Sequence, residues 1–501
     1  MTTSTTGSPR RPGAAASGAA QATTRTTATS PRTTATTATT RTPPKAPPKT
    51  KMWPAERGST SSRVTTVEPN WWGSARLDSP LTTYYLLVGA TSILVVLGLV
   101  MVLSASSITS ITTSSSHSPY TIFLNQAKYA LMGLVAALVA SRLSVRVWKL
   151  LAIPALVAAM GLQAMVFTRL GVDVNGNRNW IQVAGQRLQP SEFGKIALVL
   201  FAALVLTTKR RQLGDWKHAV VPLVFPAGLL LLGLVLKGRD LGTCLVLAAI
   251  LVGVLFAAGV PSRVFFATGT LLAVAALGLA LTNSNRLGRI DLWVRGCTNV
   301  KLCWQTTQGR YALADGGWWG VGLGASTEKW QWLPEAHNDF IFAIIGEELG
   351  LPGTLAVLAL FAVLAFACYR LVRASTDHFV RIATAGVMTW VLFQAIVNIG
   401  AVIGLIPVIG VPLPLVSSGG SALLTTLIGL GMLIAFARRE PACADALAAR
   451  PGVVRRSLAV VAGGRPESAH PAGTAGTADG GRPRARGGSG KAGRRRSPVG
   501  R

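Results

Sequence analysis

The sequence predicts an all-α polytopic membrane protein with about ten transmembrane helices. Both termini are expected on the cytoplasmic side, with a large extracytoplasmic loop between the seventh and eighth spans. Three observations predict this. Half of the 501 residues are hydrophobic and only 14% are charged, whereas a soluble chain carries roughly a quarter charged. Apolar runs recur at the length of about 20 residues that crosses a bilayer core. Lys and Arg also concentrate in alternate short loops, the pattern of cytoplasmic connections.

Residues 1–80 are rich in Thr, Ala, Pro and Arg, as in "TTATSPRTTATTATTRTPPKAPPKTK". They hold too little apolar surface to offset chain entropy, so a disordered basic tail is expected. They contain no apolar run, which argues against a signal peptide. Residues 438–501, with "GGRPRARGGSGKAGRRRSP", read the same way. The net charge of +30 divides as +8 in the first tail, +12 in the core 81–437 and +10 in the last tail. Basic tails joined to membrane helices are expected to lie against anionic lipid rather than to bind nucleic acid.

Within the core, spans are expected to start near Leu81, Thr121, Val145, Glu192, Lys217, Leu241, Ser262, Phe340, Ile382 and Ser417, the fourth short and the eighth long. The inside loops would be "SRLSVRVWK", "KRRQLGDWK", "GVPSR" and "YRLVRASTDHFVR", all positively charged. The longest outside loop, Thr282 to Asn338, has room for short helices but not for an independent core. It holds Cys297 and Cys303. Facing an oxidising space they suit a small disulfide, and two free thiols fit the spacing equally. No zinc-ligand spacing appears among the five cysteines.

Ionisable groups within membrane helices are costly and persist where they pair or serve a cavity. Four clusters qualify. In "NGNRNWIQVAGQRLQPSEFGK", Asn-Gly signals a turn, and Pro190 followed by Glu192 marks a helix start. Glu192 and Lys195 are three apart on one helix face, which an ordinary ion pair would also explain. In "KGRDLGT", Asp240 suits either a helix cap or a functional acid. In "LPEAHNDFIFAIIGEELG", Glu335, His337 and Asp339 crowd the mouth of the eighth span, and Glu347 and Glu348 face different neighbours inside it. In "PLVSSGGSALL", Ser417, Ser418, Gly419 and Gly420 open the tenth span. There they allow close backbone approach and expose amides that suit phosphate, or simply pack helices. Acids, bases and an amide-rich helix end on one face of the bilayer suit a polar, anionic, lipid-linked substrate.

These motifs resemble the FtsW/RodA/SpoVE (SEDS) family across roughly Leu81 to Arg439. The strongest match is Asn398 to Ala422, "NIGAVIGLIPVIGVPLPLVSSGGSA". "NRNWI", "QPSEFGKIA", "DLGT", "GVGLGAS" and "LPEAHNDFIFAIIGEELG" follow the family's order. The pairing of "KWQWLPEAHNDFIFAIIGEELG" with "GVGLGAS" looks more like the cell-division member than the elongation member, of an actinobacterial type. The resemblance implies a peptidoglycan glycosyltransferase at the division septum. Such an enzyme polymerises lipid II beside a class B penicillin-binding protein and other divisome proteins. The acceptor 4-hydroxyl would attack the donor's anomeric carbon with inversion, and undecaprenyl pyrophosphate would leave. No cofactor is implied, and a divalent cation is not readable from sequence.

Carried over by motif, Glu192 and Lys195 match the family's essential pair, and Asp240 the functional Asp before "LGT", with Gly-Arg ahead of it instead of Gln-Pro. Arg178 and Trp180 match an "RW" with Asn179 inserted. Glu335, His337, Asp339, Ser417, Ser418 and Gly419 are the further substrate-binding candidates. The family's proposed catalytic Asp lies in the long outer loop before a Tyr-Gln pair. Here that stretch reads "RIDLWVRGCTNVKLCWQTTQG", and the position falls on Thr298 or Asn299, neither of which can act as a base. Asp291, the only acid between Arg289 and Gln305, is the substitute, with Asp240 second. Two rival readings remain: a lipid II flippase lined by the same acids, and a non-catalytic divisome scaffold acting through its tails.

Overall fold

The structure is a computed structural model that describes residue 79 and residues 81–113, 117–174, 177–183, 185–281, 284–296 and 300–448. The two expected tails lie outside these residues, apart from their inner ends. The apolar runs form helices where the sequence places them. They are α1 (Thr82–Thr113), α2 (Thr121–Ala140), α3 (Val145–Met165) and α4 (Pro190–Thr208). Next comes a broken span of α5 (Trp216–Val220), a π-helical turn at Leu223–Gly228 containing Pro226, and α6 (Leu229–Lys237). α7 (Leu241–Ala257) and α8 (Ser262–Leu281) follow. The long loop holds α9 (Ser284–Arg295) and α10 (Val300–Gly316). The chain closes with α11 (Ile341–Ala374), α12 (His378–Val402), α13 (Gly420–Arg439) and the short α14 (Pro441–Ala448).

Eight spans among the described residues are long and apolar enough to cross a membrane, and α7 and α8 supply two shorter apolar helices. Together they occupy the ten expected positions. Local chemistry fixes several starts: Ser144, Asp240 and Asp377 cap α3, α7 and α12 by accepting backbone N–H bonds. α4, α12 and α13 are the innermost helices, with 67%, 67% and 72% of their most apolar windows buried, against 22% for α2 and α3. The outer helices turn Leu131, Leu134, Leu150 and Val157 outward, as helices in contact with lipid do.

Side-chain contacts sort the loops into two ends. At one, Lys149 pairs with Asp377 at 2.8 Å, Arg439 binds the carbonyls of Arg142 and Leu143, and Arg370 bonds Thr83. This end carries the expected cytoplasmic loops. At the other, Tyr129 meets Gln186, Gln189 meets Ser421 and Asp240, and Arg289 meets the carbonyl of Val408.

The fold is helical as expected, and one loop adds a small sheet. The loop between α3 and α4 folds as a three-stranded antiparallel meander of β1 (Gly171–Val174), β2 (Asn177–Val183) and β3 (Gln186–Leu188). Val172 pairs with Trp180, and Ile181 with Gly171 on one side and Leu188 on the other. The predicted Asn175-Gly176 turn lies outside the described residues. Cys303 in α10 is disulfide-bonded, so the free-thiol alternative fails for it. Cys297 is outside the described residues.

Candidate functional site

Glu192 and Lys195 lie in the first two turns of α4 and are 3% and 1% exposed. Lys195 Nζ is 2.7 Å from Glu192 Oε2 and donates to Gln394 Oε1 at 3.1 Å. The same Gln394 oxygen accepts from Trp390 Nε1 at 2.9 Å, and the Trp390 ring lies 5.1 Å from the ammonium. A buried charge needs this kind of partnership, because desolvation of an unpaired ion costs several kcal/mol. Thr425 Oγ1 approaches Glu192 Oε2 at 3.5 Å.

The network continues toward the outer end. Gln394 Nε2 donates to the carbonyl of Pro412 at 3.0 Å. One turn along α12, Asn398 Nδ2 donates to the carbonyls of Val411 and Asp339, both at 2.8 Å. Ser417 Oγ accepts from the Leu413 amide at 2.8 Å and donates to the Asn338 carbonyl at 2.7 Å, and the Ser418 amide donates to the His337 carbonyl at 3.0 Å. Four sequence candidates, His337, Asp339, Ser417 and Ser418, thus sit against one another. Glu335 adjoins them in a left-handed backbone conformation (φ 56°), accepting from Asn338. Gly419 caps α13 without a side-chain bond, so α13 begins three residues later than Ser417. Gly420 has a packing role as well, since a Cβ there would collide with the Tyr129 ring of α2.

Charge behaviour differs across this mouth. Burial, reinforced by Glu335, pushes the Asp339 carboxyl up to about 7, against the pull of Arg289. Burial holds the His337 imidazole below its ordinary value, opposed by Glu335, and its Nδ1 is buried with no hydrogen-bond partner. A cavity of about 10 Å³ lies between Asp339, Asn398, Val408 and Gly410, room for about one water.

The remaining candidates sit apart from this mouth to different degrees. Asp240 caps α7: its carboxylate accepts from the Thr243 amide at 2.9 Å, from Thr243 Oγ1 at 2.7 Å and from Gln189 Nε2 at 2.8 Å. Gln189 also precedes Pro190, so Asp240 and Glu192 are tied to the same α4 terminus. Asp291 is half exposed on α9 and pairs with Arg295 at 2.9 Å. The Arg178 guanidinium binds the carbonyls of Val166 and Thr168, tying β2 to the end of α3. Trp180 is half-buried in β2.

Glu347 and Glu348 face different neighbours, as their spacing requires. Glu347 accepts from Ser326 Oγ, the Thr327 amide and hydroxyl, and the Glu328 amide. Glu348 accepts from Ser104 at 2.5 Å and lies 3.5 Å from Lys329 Nζ. Glu328 beside them is pushed up to about 7 by burial, with Glu347 and Asp315 adding to the rise. Among the described residues no group of three or more His, Cys, Asp or Glu is placed to hold a metal. Gln394 is a structural member of the site that the motifs do not mark, since a lone polar residue in an apolar run has no spacing signal, while Gln189, Asn398 and Arg289 stand in the quoted stretches without their contacts being readable there.

A family model described as "Cell cycle protein" (FTSW_RODA_SPOVE) matches residues 84–441. The chain is 38% identical over 401 residues to a Mycobacterium tuberculosis protein named "Probable peptidoglycan glycosyltransferase FtsW", covering 79% of this chain and 76% of that one. It is 35% identical over 339 residues to a Trichlorobacter lovleyi protein of the same name, covering 67% and 88%. Among solved structures, the rod shape determining protein RodA of Thermus thermophilus matches with a TM-score of 0.53 at 26% identity, over 71% of this chain and 97% of that one. A second, described as "Structural coordination of polymerization and crosslinking by a peptidoglycan synthase complex", matches with a TM-score of 0.57 at 26% identity over the same shares.

Proposed function

The chain belongs to the FtsW/RodA/SpoVE family of cell cycle proteins, and from that premise we propose that it is a peptidoglycan glycosyltransferase polymerising lipid II. One observation supports this above others: an apolar bundle gathers Glu335, His337, Asp339, Ser417 and Ser418 at one end, and the backbone of residues 411–413 links the hydrogen bonds made there to those of a buried Glu192–Lys195 pair. That end is assigned to the outer face. The opposite end carries the basic short loops, and a disulfide at Cys303 suits an oxidising compartment.

In the proposed step the acceptor's 4-hydroxyl oxygen bonds to the donor's anomeric carbon as the bond to the pyrophosphate oxygen breaks. The hydroxyl proton passes to a carboxylate, and undecaprenyl pyrophosphate carries off the electron pair. Three carboxylates are candidates for the base. Asp291 is open to solvent beside Arg295, and Asp240 has both oxygens engaged as a cap. Asp339, raised to about 7, has the protonation behaviour that suits a base working near neutral pH, and it takes the role in this reading. Arg178, Trp180, Lys195 and the Ser417–Gly419 segment are assigned to substrate binding or its support. The reaction is written without a cofactor. The partner is a class B penicillin-binding protein, within a larger division assembly at the septum.

The test is to supply the purified chain and its partner transpeptidase with labelled lipid II in proteoliposomes. Glycan ladders on a gel are the expected product. Lipid II crossing the bilayer with no polymer formed would replace this reading with a flippase.

A further inference from the structure

We propose that Arg289 and Arg310 bind the diphosphate of the lipid-linked donor: their guanidinium groups lie along the 404–408 segment of the mouth with hydrogen-bond donors to spare. The site rests on the reading above, in which the donor carries a pyrophosphate.

The segment after α12 is met by side chains from both helices of the long outer loop. From α9, Arg289 Nη1 donates to the Val408 carbonyl at 3.1 Å and Trp293 Nε1 donates to the Gly404 carbonyl at 3.2 Å. These two residues are four apart, so they share one helix face, about 6 Å from each other along the axis. From α10, the Arg310 guanidinium lies over Gly404, where an added Cβ would collide with it. Gly404 also has φ 84°, a conformation that glycine adopts at no steric cost. Arg310 and Trp293 therefore meet at one residue, with Arg289 a helical turn away.

These two cations are set apart by what they leave unused. Among the described side chains of this loop, Arg295 pairs with Asp291 and Lys329 with Glu348. Arg289 and Arg310 are exposed, and neither is in an ion pair with a described carboxylate. Arg289 spends one bond on Val408, and Arg310 makes no hydrogen bond among the described residues. A guanidinium carries five N–H donors in a planar fork that matches phosphate oxygens.

Charge changes sign along the segment. At its far end a Cβ on Gly410 would stand 3.4 Å from Asp339 Oδ2. Arg289 and Glu335 both act on that carboxyl, so the arginines and the acids adjoin. The six residues from 404 to 410 span at most about 20 Å. A donor whose diphosphate meets the arginines carries its sugar toward Asp339. Positive charge then stands where the leaving pyrophosphate gains charge, and a carboxylate stands where the hydroxyl gives up its proton.

The test measures binding of radiolabelled undecaprenyl pyrophosphate to the full chain in phosphatidylcholine nanodiscs, with no acceptor present. Arg289→Gln and Arg310→Gln are each expected to weaken binding by about tenfold or more, the weight of a lost hydrogen bond to a charged group. Arg310→Lys keeps the charge without the fork and should fall between. Arg295→Gln removes the same charge from α9, where it serves Asp291, and should leave binding unchanged. Equal melting temperatures establish that all these proteins are folded. Parent-like affinity in both arginine variants, or an equal loss in Arg295→Gln, would overturn the site. So would phosphatidylglycerol competing at the same arginines, which would assign them to bulk lipid headgroups. Arginine-dependent binding by a chain that forms no polymer would keep this site and remove the glycosyltransferase. Polymer formed by a chain whose binding ignores both arginines would do the reverse.

Discussion

Lys195 and Glu192 pair in the middle of a hydrophobic bundle, and Lys195 is held on three sides, by a carboxylate, the Gln394 amide oxygen and the Trp390 ring. Removing one member strands the other charge, at a cost of about 3–5 kcal/mol, while replacing both with apolar residues is far less damaging. Glu192→Ala should therefore lower the melting temperature more than Glu192→Leu/Lys195→Met does, as read by thermal unfolding in detergent. Equal losses would refute the pairing. The Glu328 carboxyl behaves differently. Its value in the fold, about 7, lies above its ordinary value near 4.5. The folded protein thus binds this proton more tightly than the unfolded chain, and the group costs stability as pH rises through that interval, with the full penalty above it. Glu328→Gln should be more stable than the parent at pH 8, with the gap closing toward pH 5. The ion pair is legible from an i,i+3 spacing. Gln394 is not, and Asn398 opens the family motif without its role showing, because what makes both matter is the carbonyls of Pro412, Val411 and Asp339 brought against them by the fold.

Among the elements, the ten apolar positions are legible because span length is written directly into the sequence as run length. The break of α11 at Gly350 (φ 65°) is signalled by Pro352 two residues on. The β1–β3 meander is not legible: its strands are four, seven and three residues long and carry little alternating apolar pattern. Nor does elimination between Arg289 and Gln305 reveal that Asp291 sits half exposed on α9, turned to Arg295. The segment between α10 and α11 is the element most dependent on a single conformation. Gly320 has φ 79° and its α-carbon faces the Glu348 carbonyl. Gly320→Ala adds backbone strain of about 1–3 kcal/mol and a direct clash. It should loosen the segment and expose the buried Lys329. Tryptic cleavage after Lys329 is expected to quicken by about tenfold or more, the ratio that strain implies. Unchanged cleavage would show that the docking tolerates the added carbon.

Over the whole molecule, polar chemistry is distributed by end. The basic loops and the Lys149–Asp377 ion pair mark one, and the sheet, the described parts of the 284–340 region and the 404–421 segment lie at the other. The motifs carry the family and this one-sided placement. They do not distinguish among Asp240, Asp291 and Asp339, since spacing does not encode how many donors each carboxylate meets or how much water it loses. The most direct measurement is the pH profile of lipid II polymerisation by the protein with its partner transpeptidase, for the parent and for Asp339→Asn. A base must be unprotonated to accept the hydroxyl proton, so the parent rate should rise with pH through about 7 and then level off. Asp339→Asn should lose polymer by about a hundredfold or more, the usual weight of such a group. Full activity in Asp339→Asn with the same profile would contradict the account.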